Sequence, residues 1–319
     1  MASGVNRRDR AGARRRPRRG LVTLLLILGS AAALGGSFAH WLDRQALSSS
    51  GWQATSSQLI ENHQVRRGVG TFAVDQLLAR TNAAELLRSA LGPNLAAPAL
   101  RTMRSLGLRL AEGLLSTRPA QVVWNTANRQ AHSDLLEILD HGGHGRGVTL
   151  NLSSLFDELV RALEASAEVQ AVPGGDRLFT QVSPSAGQLR ILSADQVNTA
   201  RATVNAIRGL SVGLLVAAAV LFAAAVASAR GWRSIAIRRV GYCLVVVGVV
   251  VLGARALLAP ALADALVSDS TYRTAAHAAW RIATTHLRET AIVILVGAGV
   301  LILAGVVGGA LVSRRGRPA

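Results

Sequence analysis

The sequence predicts an α+β membrane protein with four transmembrane helices and a mainly helical outer domain that contains a small three-stranded sheet. Half of the 319 residues are hydrophobic and the formal net charge is +17, and these two properties fall in different segments. Four apolar runs are each long enough to cross a bilayer, since about 20 apolar residues span its hydrocarbon core as a helix. The stretch between the first two runs has the length of an ordinary domain.

The composition excludes several classes of chemistry. All 35 basic residues are arginine, so reactions that need a lysine, such as Schiff-base formation, are excluded. The single cysteine, Cys243, excludes disulfides within the chain and cysteine-rich metal sites. No cofactor and no catalytic residue are predicted.

Arginine clusters beside the apolar runs predict the orientation. Residues 1–20 contain eight Arg and one Asp, residues 230–239 contain four Arg, and residues 313–319 contain three Arg. Positively charged loops stay on the cytoplasmic side of a cell membrane, so both termini are predicted inside and residues 41–208 outside. Four arginines are expected to contact anionic lipid headgroups, and no nucleic-acid partner is expected. They are Arg230, Arg233, Arg238 and Arg239.

These observations predict nine consecutive segments. They are a basic cytoplasmic tail (1–20), transmembrane helix 1 (21–40), an extracytoplasmic α+β domain (41–208), transmembrane helix 2 (209–229), a basic cytoplasmic loop (230–239), transmembrane helix 3 (240–260), an outer amphipathic loop (261–289), transmembrane helix 4 (290–312) and a basic cytoplasmic tail (313–319). The first span is also open to interpretation as a cleaved signal peptide, although its length favours an uncleaved anchor. Arg255, within the third span, is expected to reach the headgroups.

Helical patterns fill the first half of the outer domain. A short helix is predicted over Ala83–Leu91, with Asn82 and Glu85 in a capping box. The next helix has Pro98 in its first turn, and a third begins at Pro119 and ends near His141. Its predicted buried face carries Trp124, Ala127, Ala131, Leu135 and Ile138.

Strand-like and helical segments alternate in the second half. Strands are predicted over 148–152, 178–182 and 188–192, with a helix capped by Ser154 after the first of them. Ser193 marks the start of a long helix that is predicted to continue into the second span. The 261–289 loop is predicted to form an amphipathic helix, either lying in the outer interface or extending the fourth span.

Six short motifs extend along the outer domain. They are Trp52-Gln-Ala-Thr-Ser-Ser, Val65-Arg66, Val74-Asp-Gln-Leu-Leu, the run from Trp124 to His132, Val148-Thr-Leu-Asn-Leu and the run from Ile191 to Val197. Together they resemble a family of uncharacterised actinobacterial multi-pass integral membrane proteins, over most of residues 41–260. The resemblance implies an N-terminal anchor, a large extracytoplasmic domain and a C-terminal transmembrane bundle, and it implies no activity.

One face of the predicted 119–141 helix is a candidate ligand or partner surface. Its members are Asn125, Asn128, Arg129 and His132. The alternative interpretation is an ordinary solvated helix face.

Three histidines form a candidate metal site with nearby carboxylates. They are His132, His141 and His144, and imidazole ligands suit zinc. The alternative is that the last two are solvated histidines of a glycine-rich turn, since no His-Glu-x-x-His motif supports them.

The leading functional hypothesis is a non-enzymatic cell-envelope protein that presents an extracytoplasmic interaction or sensing domain. One alternative is a transmembrane coupling protein or permease-like partner of an ABC ATPase, by analogy of topology. A second alternative is an outer-face metal-dependent hydrolase. The expected partners are another envelope protein or a second copy of the chain. Self-association is expected because Gly209 and Gly213, like Gly305 and Gly309, have the spacing of closely packed membrane helices.

Overall fold

A computed structural model describes residues 15–141, 147–171, 187–229, 232–266 and 270–315, nearly all of them helical. The chain divides into two compact units. The first unit comprises the described parts of Met1–Arg44, Asn205–Leu258 and Thr284–Ala319, and the second comprises those of Gln45–Val204 and Ala259–Ala283.

The described part of the chain contains twelve α-helices, one π-helical turn and two strands. They are α1 (Arg15–Leu42), a π-helical turn (Asp43–Leu47), α2 (Ser49–Glu61), α3 (His63–Arg80), α4 (Ala83–Leu91), α5 (Pro93–Leu115), α6 (Arg118–His141), β1 (Val148–Asn151), α7 (Ser153–Glu164), α8 (Ala167–Gln170), β2 (Gln188–Leu192), α9 (Ala194–Ser228), α10 (Arg233–Leu266), α11 (Ser270–Ala283) and α12 (Thr285–Arg315).

Four helical segments within the described residues are long and apolar enough to cross a bilayer, which indicates a membrane protein. They are Gly20–Leu47, Ile207–Ser228, Arg233–Ala261 and Thr285–Ala310. Each overlaps one predicted span, and the third and fourth begin several residues earlier than the sequence predicts. Their length and composition match the bilayer requirement, since a helix rises about 1.5 Å per residue.

Close glycine contacts hold α10 and α12 together in the first unit. A Cβ added at Gly305 would lie 2.5 Å from Cγ of Arg238 and 2.8 Å from the carbonyl oxygen of Ser234. The predicted role of Gly305 in close helix packing is therefore met inside the chain. A Cβ at Gly209 or Gly213 would meet no heavy atom of the described residues within 4 Å, so self-association through that stripe stays a prediction.

Arg255 is held inside the first unit by a side-chain hydrogen bond. Its Nε donates to Oγ1 of Thr284 at 2.8 Å, and Thr284 is fully buried. The sequence predicts that this guanidinium reaches the lipid headgroups, but it does not predict a hydrogen bond to Thr284.

Two clusters of apolar side chains form the core of the second unit. One lies between α2, α6, β1 and α7 and includes Ile60, Trp124, Leu139, Val148 and Phe156. The other lies between α3, α4, α5 and α7 and includes Val74, Leu77, Leu87, Met103 and Leu159. The predicted burial along α6 is confirmed for Trp124, Ala127, Ala131 and Ile138, whereas Leu135 is only half-buried at the edge of the first cluster.

The described sheet has two strands, and β1 pairs antiparallel with β2. Val148 lies opposite Leu192, and Asn151 lies opposite Gln188. Burial alternates along β1, as its sequence pattern predicts. The prediction of three strands is matched only by these two, and the third predicted strand, 178–182, lies outside the described residues.

The predicted helix over Ala83–Leu91 is confirmed, but its capping box and two other predicted helix starts are wrong. Asn82 has a left-handed backbone with a φ of 48°, and its side chain makes no capping hydrogen bond. The helix predicted around Pro98 begins at Pro93, so Pro98 lies inside it. The residue before α7 is Leu152 rather than Ser154, and the amide of Ser153 donates to Oδ1 of Asn151 at 3.1 Å.

The loop before the fourth span contributes a helix to the second unit. This helix, α11, packs against α3 and α2. A turn at Thr284 separates it from α12, so the alternative in which it extends the fourth span is wrong. The predicted long helix after Ser193 is confirmed, since α9 runs unbroken from Ala194 to Ser228.

Candidate functional site

The packing of α2 against α6 positions most of the predicted surface residues. The buried side of α2 carries Thr55, Ser56 and Ile60 at helical spacing. On α6, Trp124 faces it and donates from its indole Nε1 to the carbonyl oxygen of Ser56 at 3.1 Å. This bond fixes the register of the two helices, because an indole N–H buried in a core needs an acceptor.

His132 belongs to this helix packing rather than to the surface. Its ring stacks on Trp52 of α2 with centroids 5.2 Å apart and planes 12° apart. Its Nε2 lies 3.0 Å from the carbonyl oxygen of Ala46, and since a carbonyl only accepts, Nε2 carries the hydrogen. His132 is 4% exposed, so its own ring is fixed in the core. Because the Trp52 ring stacks on it, the orientation of Trp52 is fixed as well.

The four residues of the predicted surface divide into two pairs. Asn128 is buried and donates from Nδ2 to the carbonyl oxygen of Trp124 at 3.0 Å, so it and His132 face inward. Asn125 is half-buried and accepts a hydrogen bond from Oγ of Ser57 at 3.3 Å, while Arg129 is exposed. Asn125 and Arg129 are therefore the accessible pair, since Asn128 and His132 are both buried.

Asn125 and Arg129 line a cavity together with four residues of α2. We call it the α2–α6 cavity; its volume is about 110 Å³, and its other lining residues are Trp52, Gln53, Ser56 and Ser57. All six lining side chains carry a polar group. None of these lining residues is acidic, and Arg129 is the single formal charge among them.

Two polar atoms of the cavity's lining residues have no hydrogen-bond partner among the described residues. They are Nε1 of Trp52 and Oγ of Ser56, and both atoms are buried. Ser56 as a whole is 3% exposed. An unsatisfied buried donor or acceptor costs roughly 1–3 kcal/mol, and the two residues that carry these atoms both line the cavity.

The structure does not bring the predicted metal ligands together within the described residues. His132 is buried against Trp52 and Ala46, whereas His141 is exposed at the end of the same helix. The two lie nine positions apart on the helix, which separates them by roughly 13 Å along the axis and places them on opposite faces. No group of three potential metal ligands occurs in the described part of the chain. His144 lies outside it.

The predicted lipid-contact arginines lie near the start of α10. Arg233 and Arg239 are exposed, and the guanidinium of Arg239 lies 5.5 Å from the centroid of the Trp232 ring. Arg238 is half-buried against α12 at Gly305. Arg230 lies outside the described residues.

A larger cavity of about 510 Å³ lies between α3, α5 and α11. Its lining includes Arg67 and Arg104, but each pairs with a carboxylate. Arg67 Nε lies 3.1 Å from Glu112, and Arg104 Nε lies 2.6 Å from Asp75. The charges of this cavity are thus balanced within the protein, and nothing in it points to a particular ligand.

No family model, no curated protein and no solved structure matches this chain. The resemblance to a membrane-protein family therefore stays a prediction, and the site is interpreted from its own geometry.

The sequence pattern does not predict the contribution of α2 to the site. Trp52 and Ser56 stand four residues apart and share a helix face. The motif that contains them is one of those that carry the family resemblance, but a polar face alone does not show which side chains lack partners. That information comes only from the packing of α6 against it.

Proposed function

We propose that this chain is a non-enzymatic, multi-pass protein of the cell envelope whose second unit is an extracytoplasmic binding or sensing domain. The α2–α6 cavity is its binding site. Four apolar helices support the membrane anchorage. The observation that carries the binding role is the pair of unpartnered polar atoms, Trp52 Nε1 and Ser56 Oγ, in residues that line a polar cavity.

The distribution of arginine supports the orientation. The short segments 1–20, 230–239 and 313–319 hold fifteen arginines against one acidic residue, and the positive-inside rule places them in the cytoplasm. The same rule places the region between the first and second spans outside.

Cysteine labelling tests this orientation. In a Cys243→Ser background, Ser89→Cys, at an exposed position of α4, should react with a membrane-impermeant maleimide on intact cells. Ser313→Cys should react only after the cells are permeabilised. Labelling of Ser313→Cys alone on intact cells would reverse the proposed topology.

Site-specific crosslinking tests the binding role. A benzoylphenylalanine placed at Gln53, which is exposed and lines the cavity, should capture the ligand or partner in native membranes. The matched control is Gln58, which is exposed on the same helix and does not line the cavity. An adduct specific to position 53 supports the proposal, whereas identical adduct patterns at the two positions contradict it.

Purification of the chain with its bound partners distinguishes the alternative functions. A co-purifying ATPase would favour the permease-like role, and stoichiometric zinc would favour the hydrolase. We rank both below the binding role, because the cavity is the feature of the described residues that points to a ligand.

A further inference from the structure

We infer, resting on the proposed function, that the α2–α6 cavity recognises a carboxylate group. The group belongs either to a free small acid or to a peptide chain end, and both present the same two oxygens. Four features of the cavity lead to this chemistry: its volume, its charge, its unpartnered donor and the rigidity of that donor.

The volume restricts what can enter. A cavity of about 110 Å³ is smaller than the apolar cavity of about 150 Å³ that admits benzene. A group of a few heavy atoms fits, whereas a nucleotide or a whole sugar does not. The ligand therefore inserts a small polar head, and the rest of a larger molecule stays outside.

The charge of the lining selects an anion. Arg129 supplies one positive charge, and the six lining residues include no Asp or Glu that would neutralise it. A guanidinium presents its N–H groups as a planar fork that matches the two oxygens of a carboxylate. A metal cation is disfavoured, because the lining offers it no carboxylate and places an arginine beside it.

The unpartnered indole requires an acceptor. Nε1 of Trp52 can donate and cannot accept, and it has no acceptor in the described chain. Ser56 adds a hydroxyl that is also unpartnered and that can donate to an anion. A carboxylate has enough lone pairs to accept from the indole, the hydroxyl and the guanidinium together.

The donor is held in position before any ligand binds. The Trp52 ring stacks on His132, and His132 is in turn hydrogen-bonded to the carbonyl oxygen of Ala46. Binding therefore costs little ordering of this side chain, which favours affinity. A phosphate would bring up to two negative charges to a site with one arginine, so a singly charged carboxylate is the better match.

Indole NMR of the full chain in phosphatidylcholine nanodiscs tests the inference. The chain has five tryptophans, and the indole N–H signal that disappears in Trp52→Phe belongs to Trp52. Acetate and N-acetyl-dialanine should shift that signal downfield in a saturable way at constant ionic strength. Acetamide and the amidated dipeptide, which lack the carboxylate, should not.

Arg129→Gln should weaken acetate binding by about tenfold, as expected for loss of a charge-assisted hydrogen bond. Arg129→Lys keeps the charge without the fork and should weaken it less. Arg118→Gln, at an exposed position of α6 outside the cavity, should change nothing. The other four indole signals report that each variant is folded.

The outcomes distinguish failure of the carboxylate inference from failure of the proposed binding role. Tighter binding of the dipeptide than of acetate identifies a chain end, and the reverse order identifies a free acid. Binding of acetamide or phosphate at least as tight as that of acetate overturns the carboxylate inference and leaves the binding site. No shift with any probe, or equal weakening by Arg118→Gln, overturns the carboxylate inference, and the Gln53 crosslinking then decides the binding role separately.

Discussion

The phenol of Tyr272 donates a hydrogen bond to Oδ2 of Asp75 at 2.9 Å, although 197 residues separate the two in sequence. Asp75 also accepts from Arg104 at 2.6 and 2.9 Å, so one carboxylate links α3, α5 and α11. A further contact joins Arg281 of α11 to Gln64 of α3 at 3.1 Å. The loop between the third and fourth spans is thus an integral part of the second unit.

Tyr272→Phe should destabilise the second unit by about 1 kcal/mol, because it removes one partly exposed hydrogen bond to a charged group. Tyr242→Phe is the matched control, since Tyr242 is the other tyrosine of the chain and is 56% exposed. Hydrogen exchange of α11 in the full chain in micelles measures the effect. Equal protection of α11 in both variants would show that the Tyr272 bond contributes nothing.

Gly68→Ala should loosen the packing of α11 on α3. A Cβ at residue 68 would clash with Cβ of Ala275, so the two helices would have to move apart. Overpacking of this kind costs about 1–3 kcal/mol and outweighs the gain in helix propensity. Loss of thermal stability of the full chain is the measurement.

Two further variants isolate the contact at Gly68. Gly113→Ala should stabilise the chain by about 0.5–1 kcal/mol, because a Cβ at residue 113 meets no heavy atom of the described chain within 4 Å. Adding Ala275→Gly to Gly68→Ala should recover part of the loss. If Gly68→Ala stabilises as much as Gly113→Ala, the close approach of the two helices is refuted.

The sequence pattern predicts the helices and strands better than it predicts which of them pack against each other. Helical spacing on α6 predicted the burial of Trp124 and Ala131, and alternation predicted β1. The same spacing assigned Asn128 and His132 to a surface, because a helical pattern does not show that α2 packs on that side. Their hydrogen bonds to Trp124 and Ala46 satisfy them in the core.

Helix starts and long-range docking were the least predictable features. Asn82 has the residue type and spacing of a capping box, yet its left-handed backbone leaves its side chain without the capping bond. The amphipathic pattern of α11 predicted a helix but did not identify α3 as its partner. That choice depends on Gly68 and Asp75, which lie about 200 residues earlier in the chain.

Thr284→Val should destabilise the first unit by about 1–3 kcal/mol. The substitution keeps the shape of a fully buried side chain and removes the hydroxyl that accepts from Nε of Arg255. Thr290→Val is the control, because the Thr290 hydroxyl donates within its own helix, to the carbonyl oxygen of His286, and bonds to no other helix among the described residues. Thermal unfolding of both variants in micelles should rank Thr284→Val as the less stable.

His132→Ala should destabilise the second unit by roughly 2–4 kcal/mol, whereas His141→Ala should change its stability by less than about 0.5 kcal/mol. The difference follows from position, since His132 is buried, stacked on Trp52 and bonded to Ala46, while His141 is exposed at the end of α6. Thermal unfolding of the full chain measures both effects, and metal analysis of the same samples tests the competing zinc interpretation. A shared metal site would make the two substitutions equally harmful and would release zinc in each. Unequal effects without a change in metal content would instead assign His132 to the support of Trp52, and the indole signal of Trp52 should then broaden in His132→Ala alone.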